Sequence, residues 1–172
     1  MTVASTAAAT LPLFADLQQT RRLADLREAQ QTWRDWPLPR RLAVVRACRE
    51  RLAADAPALA ATVRAGSSRP LHETITAELL PLLAACRYLE REATRLLAPH
   101  FLGIRGRPVW LASGRGEVLR DPYGVVLVIG PSNYPLFLPG VQTLQALVAG
   151  NAVMWKPGRG GAACAHALRA AL

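Results

Sequence analysis

Between Asp16 and Ala98 apolar residues recur three and four positions apart, the period of helices that bury one face. Leu17, Leu23 and Leu26 lead to Trp33 and Trp36, where Pro37 and Pro39 break the run. A second helix is expected from Arg40, with Leu42, Val45, Cys48 or Arg49, and Leu52 on one face, ending near Pro57. A third runs from Leu71 to Ala98 on a stripe of Leu79, Leu82, Leu83, Cys86, Leu89, Ala93, Leu96 and Leu97. Pro81 lacks an N–H and should kink or restart that helix. None of these helices can hide its apolar face alone, so they must pack on one another or on a sheet.

From Pro99 to Asp121 the pattern breaks into short extended pieces, VWLAS and GEVLR among them, punctuated by Gly103, Gly106, Pro108, Gly114 and Gly116. This reads as an arm or hairpin. Pro122 and Gly124 then introduce VVLVIG, a β-branched run without alternation, the signature of a strand covered on both faces. Pro139 suits the first turn of a following helix, with Val141, Leu144, Leu147 and Val148 on one side. Gly150 and Asn151 suit its C-terminal cap, and AVMWK is a second strand, parallel to the first. A strand, a crossover helix and a parallel strand make a βαβ unit. The fold class is therefore α/β: a helical layer over 16–98, an extended arm over 99–120, and the start of a parallel sheet over 121–172. Residues 1–15, an Ala/Thr segment without period, are expected to be a flexible tail.

Composition adjusts this picture only slightly. At 172 residues, 51% hydrophobic and 19% charged, the chain can bury the core of one domain. Of the 21 basic residues counted against 12 acidic ones, Lys156 is the single lysine and the rest are arginine. The net charge of +9 comes without a run of five or more basic residues or aromatic–basic interleaving, which argues against nucleic-acid binding. Cys48, Cys86 and Cys164 stand apart in Ala- and Leu-rich surroundings, with no C-x-x-C pair, and read as buried thiols. His72, His100 and His166 have no carboxylate or cysteine partner in view, so no metal site is expected. No apolar run reaches the length of a membrane span, and no basic residue precedes Arg21. The expectation is a cytoplasmic protein without a membrane or nucleic-acid partner.

The C-terminal edge of a βαβ unit is where open α/β sheets bind nucleotides and place chemistry, and two candidates fall there. Between the first strand and its helix, Pro131 and Pro135 bracket Ser132, Asn133 and Tyr134, making a stiff turn. A fixed Asn133 amide could stabilise a developing oxyanion without reorganisation; alternatively it bonds its own backbone as an ordinary turn residue. Lys156 closes the second strand before Pro157 and Gly158. A compact ammonium kept in a chain that otherwise uses arginine fits a ribose hydroxyl, or it is a solvated strand end. The run Gly158 to Gly161 opens a helix, and helix starts attract anions, although so short a motif is not specific.

Three segments in order, GVVLVIGPSNYP, ALVAGN and AVMWKPGR, resemble the NAD(P)-dependent aldehyde dehydrogenase family. The corresponding family motifs are close to G-V-V-x-x-I-x-P-W-N-x-P, A-L-x-A-G-N and V-V-x-K-P-x-E. With the Asp121-Pro122-Tyr123-Gly124 lead-in and the preceding helices, the resemblance covers nearly the whole chain as the N-terminal part of such an enzyme. It implies an incomplete doubly wound, Rossmann-like nucleotide-binding domain. It also implies an aldehyde substrate oxidised to a carboxylic acid with NAD or NADP, and a homo-oligomer, dimer or tetramer, at full length. Asn133 would donate to the thiohemiacetal oxyanion and Lys156 would bind the adenosine ribose. Gly130, Pro131 and Ser132 would lie beside the cofactor, with Pro157, Gly158 and Arg159 in its second loop.

Two positions depart from the family pattern. Ser132 replaces a tryptophan beside the oxyanion site, and Arg159 replaces the usual acidic residue. A carboxylate there would accept from the 2′-hydroxyl of NAD, whereas Arg159 can pair with a 2′-phosphate, so NADP is open alongside NAD. The family's cysteine nucleophile and glutamate base lie beyond the K-P-x-E motif, and none of the three cysteines here has a nucleophile-like setting. Glu78 is best read as structural. The 172 residues alone are therefore expected to be inactive, with open edges on the VVLVIG and AVMW strands. The alternative is a non-catalytic chain that binds a partner through its arm and open sheet edge.

Overall fold

The computed structural model describes residues 14–15, 23–65, 69–103, 105–111 and 113–172. In chain order it contains β1 (Phe14–Ala15), α1 (Leu23–Arg34), α2 (Leu38–Ala54), α3 (Ala56–Ala65) and α4 (Leu71–Thr74). A π-helical turn (Ile75–Leu79) leads into α5 (Leu80–Leu97), followed by β2 (His100–Leu102), β3 (Gly116–Val118), β4 (Val125–Ile129), α6 (Phe137–Val148), β5 (Ala152–Lys156) and α7 (Ala162–Ala171). The strands β1, β5 and β4 form one parallel sheet in that order. The separate β2–β3 ladder is antiparallel.

The βαβ unit expected from the sequence is present: β4, α6 and β5 follow one another, with Val125 opposite Ala152 and Ile129 opposite Lys156. Helix α6 ends as its capping residues predict. Gly150 adopts φ 91°, a left-handed conformation open to glycine, and the Asn151 amide donates to the Ala146 carbonyl at 3.1 Å. The Asn151 side-chain oxygen accepts from the Gly124 N–H at 3.0 Å, which joins the starts of the two strands. Trp33 Nε1 donates to the Leu147 carbonyl at 2.7 Å and Gln30 Nε2 to the Gly150 carbonyl at 2.9 Å, so α1 is docked on the same helix end.

Alternation along the strands divides the core in two. Val128, Val153 and Trp155 face a large cluster shared with α2, α3, α5, α6 and α7, which includes Cys48, Leu82, Cys86, Leu144, Cys164 and Leu168. On the other face Ala152 and Met154 pack under Leu26 of α1. Helices thus lie on both faces of the sheet, as a doubly wound arrangement requires.

The structure corrects several sequence expectations. Phe14–Ala15, assigned to a flexible tail, is a strand paired with β5 at Val153 and Met154, so among the described residues β5 is central and β1 and β4 are the edges. Residues 1–13 and 16–22, where the rest of the tail and the expected start of the first helix fall, lie outside the described residues. The second helix ends at Ala54, near Pro57 as expected, but a further helix not expected from the sequence, α3, starts at once with Pro57 as its second residue, where a missing N–H costs nothing. The VWL of VWLAS is not extended, because Val109–Leu111 is a 3-10 turn. VVLVIG is not covered on both faces: Leu127 is 48% exposed and Ile129 65%, because α1 reaches only the lower part of that face. Leu96, assigned to the buried stripe of the third helix, is 37% exposed. The disturbance expected at Pro81 appears one step earlier as the π turn, closed by the Leu80 N–H donating to the Ile75 carbonyl.

Candidate functional site

Parallel strands put the C-terminal ends of β4 and β5 at one edge, and the loops after them meet there. The Gly130 N–H donates to the Lys156 carbonyl at 2.9 Å, extending the ladder one step past β4. The chain then turns through Pro131, Ser132 and Asn133, while the other loop passes Pro157 to Gly161 into α7. The two loops touch at backbone level. A Cβ on Gly158 would stand 2.5 Å from the Pro131 carbonyl carbon and oxygen and 2.7 Å from the Ser132 nitrogen. Gly130 is similarly confined, since its Cβ would stand 2.8 Å from Trp155 Nε1.

At this seam Ser132, Asn133, Lys156 and Arg159 are exposed and Pro131, Pro157 and Gly158 half-buried, whereas Gly130 is buried beneath them. The structure therefore gathers all eight sequence-predicted site residues at one sheet edge. Neither the Asn133 carboxamide nor the Lys156 ammonium makes a hydrogen bond or ion pair among the described residues. The turn reading of Asn133, in which its amide bonds its own backbone, thus has no bond to support it. Lys156 shares its strand face with the exposed Leu127 and Ile129, an apolar surface beside a cation that sequence reasoning missed by assuming full coverage.

Sequence reasoning also missed Arg69, since nothing in its spacing marks it. Its Nη2 donates to the Asn133 carbonyl at 2.6 Å, its guanidinium carbon lies 4.3 Å from the centre of the Tyr134 ring, and Nη1 is 3.3 Å from Glu78 Oε1. Glu78 is fully buried, and its Oε2 accepts from the Leu136 and Phe137 N–H groups at 3.2 and 2.7 Å. A carboxylate thereby satisfies the free N–H groups at the start of α6. Burial pushes its pKa above the ordinary carboxylate value, against the two amides and Arg69, which favour the charged form. The structural reading of Glu78 holds, and its role is to fix the far end of the Asn133 loop.

Burial likewise pushes the thiols of Cys48, Cys86 and Cys164 up, to about 12, about 11 and about 11. Such thiols are not nucleophiles at neutral pH. Among the described residues no group of three or more His, Cys, Asp or Glu side chains is placed to hold a metal ion. No described helix is long and apolar enough to cross a membrane. A cleft of about 330 Å³ lies at the opposite edge of the sheet, between Arg34, Arg41, Leu97, Arg120, Asp121 and Ala149, and contains none of the predicted site residues. The residues singled out at the sheet's C-terminal ends thus lie on an open edge and not in that cleft.

A parallel sheet with helices on both faces, its exposed loops gathered at the C-terminal edge, defines an α/β protein of the doubly wound kind. Residues 4–172 match the sequence profile of the aldehyde dehydrogenase family, and the chain belongs to that family. It is 32% identical over 135 residues to 4,4'-diapolycopene aldehyde oxidase of Methylomonas sp., an alignment covering 78% of this chain and 25% of the relative. Its structure resembles the NADP-dependent glyceraldehyde-3-phosphate dehydrogenase of Bacillus halodurans C-125 complexed with NADP, with a TM-score of 0.71 and 27% identity over 84% of this chain and 31% of that one. The fold also matches succinate-semialdehyde dehydrogenase from Burkholderia pseudomallei, with a TM-score of 0.76 and 24% identity over 88% of this chain and 30% of that one. The chain thus spans between a quarter and a third of the length of these relatives.

Proposed function

We propose that these residues form the cofactor- and oxyanion-binding edge of an NAD(P)-dependent aldehyde dehydrogenase. The observation that carries this reading is the seam itself: Asn133 and Lys156 stand with unengaged donors on two loops that touch at Gly158. The donor set fits a dinucleotide, because the exposed Lys156 can donate to ribose hydroxyls and no described carboxylate pairs with Lys156 or Arg159. When bound, NAD or NADP would accept the hydride that leaves the substrate's carbonyl carbon. The Gly130 to Ser132 backbone and the Pro157 to Arg159 turn form the seat beside Lys156. Arg159, in the place of an acidic side chain, removes a repulsion against a 2′-phosphate, so NADP is accepted along with NAD.

Asn133 acts on the other side of the reaction. Thiolate attack turns the aldehyde oxygen into an oxyanion, and an amide N–H already in position stabilises it at no reorganisation cost. The thiolate does not come from Cys48, Cys86 or Cys164, which are buried with raised pKa values. By the family resemblance the nucleophile and the general base lie beyond the K-P-x-E motif, so the 172 residues alone are expected not to turn over aldehyde. The test is aldehyde-dependent reduction of NAD and NADP by the natural polypeptide, in wild type, Lys156→Ala and Asn133→Ala. K156A should raise KM for the dinucleotide about tenfold or more, the loss of one charged hydrogen bond. N133A should lower kcat by about 10²–10³. Absence of aldehyde-dependent reduction in a polypeptide carrying the family's cysteine, or full kcat in N133A, would overturn the reading.

A second reading concerns assembly. Val109 is 92% exposed, Trp110 81% and Phe101 69%, so the arm presents large apolar side chains, and β4 is an edge strand among the described residues. Surfaces of this kind are covered in stable proteins, and the arm is assigned to contact with a second copy at full length. Sedimentation of Trp110→Glu should show a smaller species than wild type, and an unchanged mass would refute the assignment.

A further inference from the structure

We infer that Arg69 and Glu78 are positioning residues for Asn133, a clamp that sets where its amide points; this rests on the oxyanion reading above. The Asn133 loop is held at three places. At its start, Gly130 N–H bonds the Lys156 carbonyl at 2.9 Å and the Pro131–Ser132 backbone lies against Gly158. At its end, Glu78 accepts from Leu136 and Phe137. Among the described residues it is Arg69 that hydrogen-bonds the middle, at 2.6 Å to the Asn133 carbonyl, with its guanidinium carbon 4.3 Å from the Tyr134 ring centre.

The direction of a side chain follows from its backbone, so a bond to the Asn133 carbonyl fixes the peptide plane and the Cα–Cβ vector that carries the carboxamide. The carboxamide itself is left free for a ligand, since no described residue bonds it. Arg69 is well placed to act this way. Its side chain is 19% exposed, its fork meets Glu78 on one nitrogen and Asn133 on another, and its guanidinium carbon lies over the Tyr134 ring. A lysine would supply one contact at a time and no stacking plane. Glu78 faces Arg69 from the π turn, and the exposed Glu73, 3.7 Å from Arg69 Nε, is the other acidic group on it. The Arg69–Glu78 pair therefore ties the helical layer to the Asn133 loop, Arg69 at the Asn133 carbonyl and Glu78 at the Leu136 and Phe137 N–H groups.

A double-substitution cycle tests this in the natural polypeptide. Arg69→Met should lower kcat about 10- to 100-fold, since a misplacement of about 1 Å can cost that much. KM for the dinucleotide should change less than about threefold, and Arg69→Lys should recover part of the loss. In an N133A background, R69M should cost less than about twofold further, because a positioning residue has nothing left to position. Full additivity of R69M with N133A, or normal kcat in R69M while N133A is impaired, overturns the clamp. Normal kcat in N133A overturns the oxyanion reading instead. A second readout needs no turnover. Amides in 131–137 should exchange about tenfold faster in R69M while those of α2 and α5 keep their rates. The Asn133 side-chain NH₂ resonances, assigned by their loss in N133A, should shift in R69M and return toward wild type in R69K. Unchanged exchange and resonances in R69M, or equal acceleration throughout the protein, refute the clamp.

Discussion

Substituting Gly158 by alanine isolates the contact that holds the two site loops together. Gly158 does not have a positive φ, so alanine there carries no backbone penalty, and the folded-state cost comes from the added methyl group. That methyl would stand 2.5 Å from two Pro131 backbone atoms, where ordinary contact begins at 3.4 Å, so one loop must retreat by 3.4 − 2.5 = 0.9 Å. The obstacles are backbone atoms of a loop stiffened by Pro131 and Pro135, and they cannot swing aside as a side-chain tip would. Overpacking of this kind costs about 1–3 kcal/mol, and alanine returns about 0.4–1 kcal/mol by restricting the unfolded chain. The central net loss is about 1.3 kcal/mol, or about 3–5 °C in Tm for a protein of this size. Thermal unfolding followed by circular dichroism reads it directly. Gly103→Ala is the control, because its Cβ meets nothing within 4 Å and its φ is not positive. If G158A and G103A melt together, the loops are not in backbone contact and the seam does not exist as described.

The buried ionisable groups give three more predictions. Glu78 has a folded pKa above its unfolded one, so its contribution is full below about pH 4.5 and is lost as pH rises through the folded value. Urea titrations of wild type and Glu78→Gln should therefore shift in the variant's favour between about pH 4 and pH 7; a shift toward wild type would mean that Arg69 and the two amides outweigh burial. Glu90 is the opposite case, held below its ordinary value by hydrogen bonding from Arg49 at 2.7 Å across α2 and α5. Glu90→Gln should cost about 1 kcal/mol at neutral pH, and the cost should vanish as pH falls through the depressed folded value; a cost that persists in acid would assign it to packing. Finally, a thiol reagent should label none of Cys48, Cys86 and Cys164 in the native protein and all of them in denaturant, and fast native labelling of any one would contradict its burial.

How far the sequence could be read depended on whether the information was local. The βαβ unit was legible because strand, crossover helix and cap each carry their own signals: the β-branched run, Pro139 in the first helical turn, and Gly150 at φ 91°. The site edge followed, since parallel strands necessarily bring Asn133 and Lys156 to the same side. Failures came where a partner lies far along the chain. Phe14–Ala15 pairs with Val153 and Met154, and two residues carry no period that could announce a strand. Leu127 and Ile129 looked buried because their own side chains are apolar, but burial depends on what covers them, and α1 stops short. Helix α3 was hidden by Pro57, a residue that breaks a helix in the middle and begins one equally well.

Arg69 shows the same limit at the site itself. Its sequence neighbours say only that a turn precedes a helix, yet it lies 64 residues from the Asn133 it binds and 9 from Glu78. The π turn makes the arrangement workable. By admitting one extra residue per turn just before Pro81, it places Glu78 inside the protein against the start of α6, while Leu80 remains 53% exposed. The proline expected to kink or restart the helix thus sits beside the turn that delivers a carboxylate to the end of the Asn133 loop. A substitution such as Pro81→Ala, which would let the helix run on in ordinary α register, should rotate Glu78 by the added residue's worth of turn, about 100°. The start of α6 and Arg69 would then lose their shared partner, with faster exchange of the Leu136 and Phe137 amides as the measurable result. Unchanged exchange in that variant would mean the π turn is held by the packing of α5 against α2 and α6 and owes nothing to the proline.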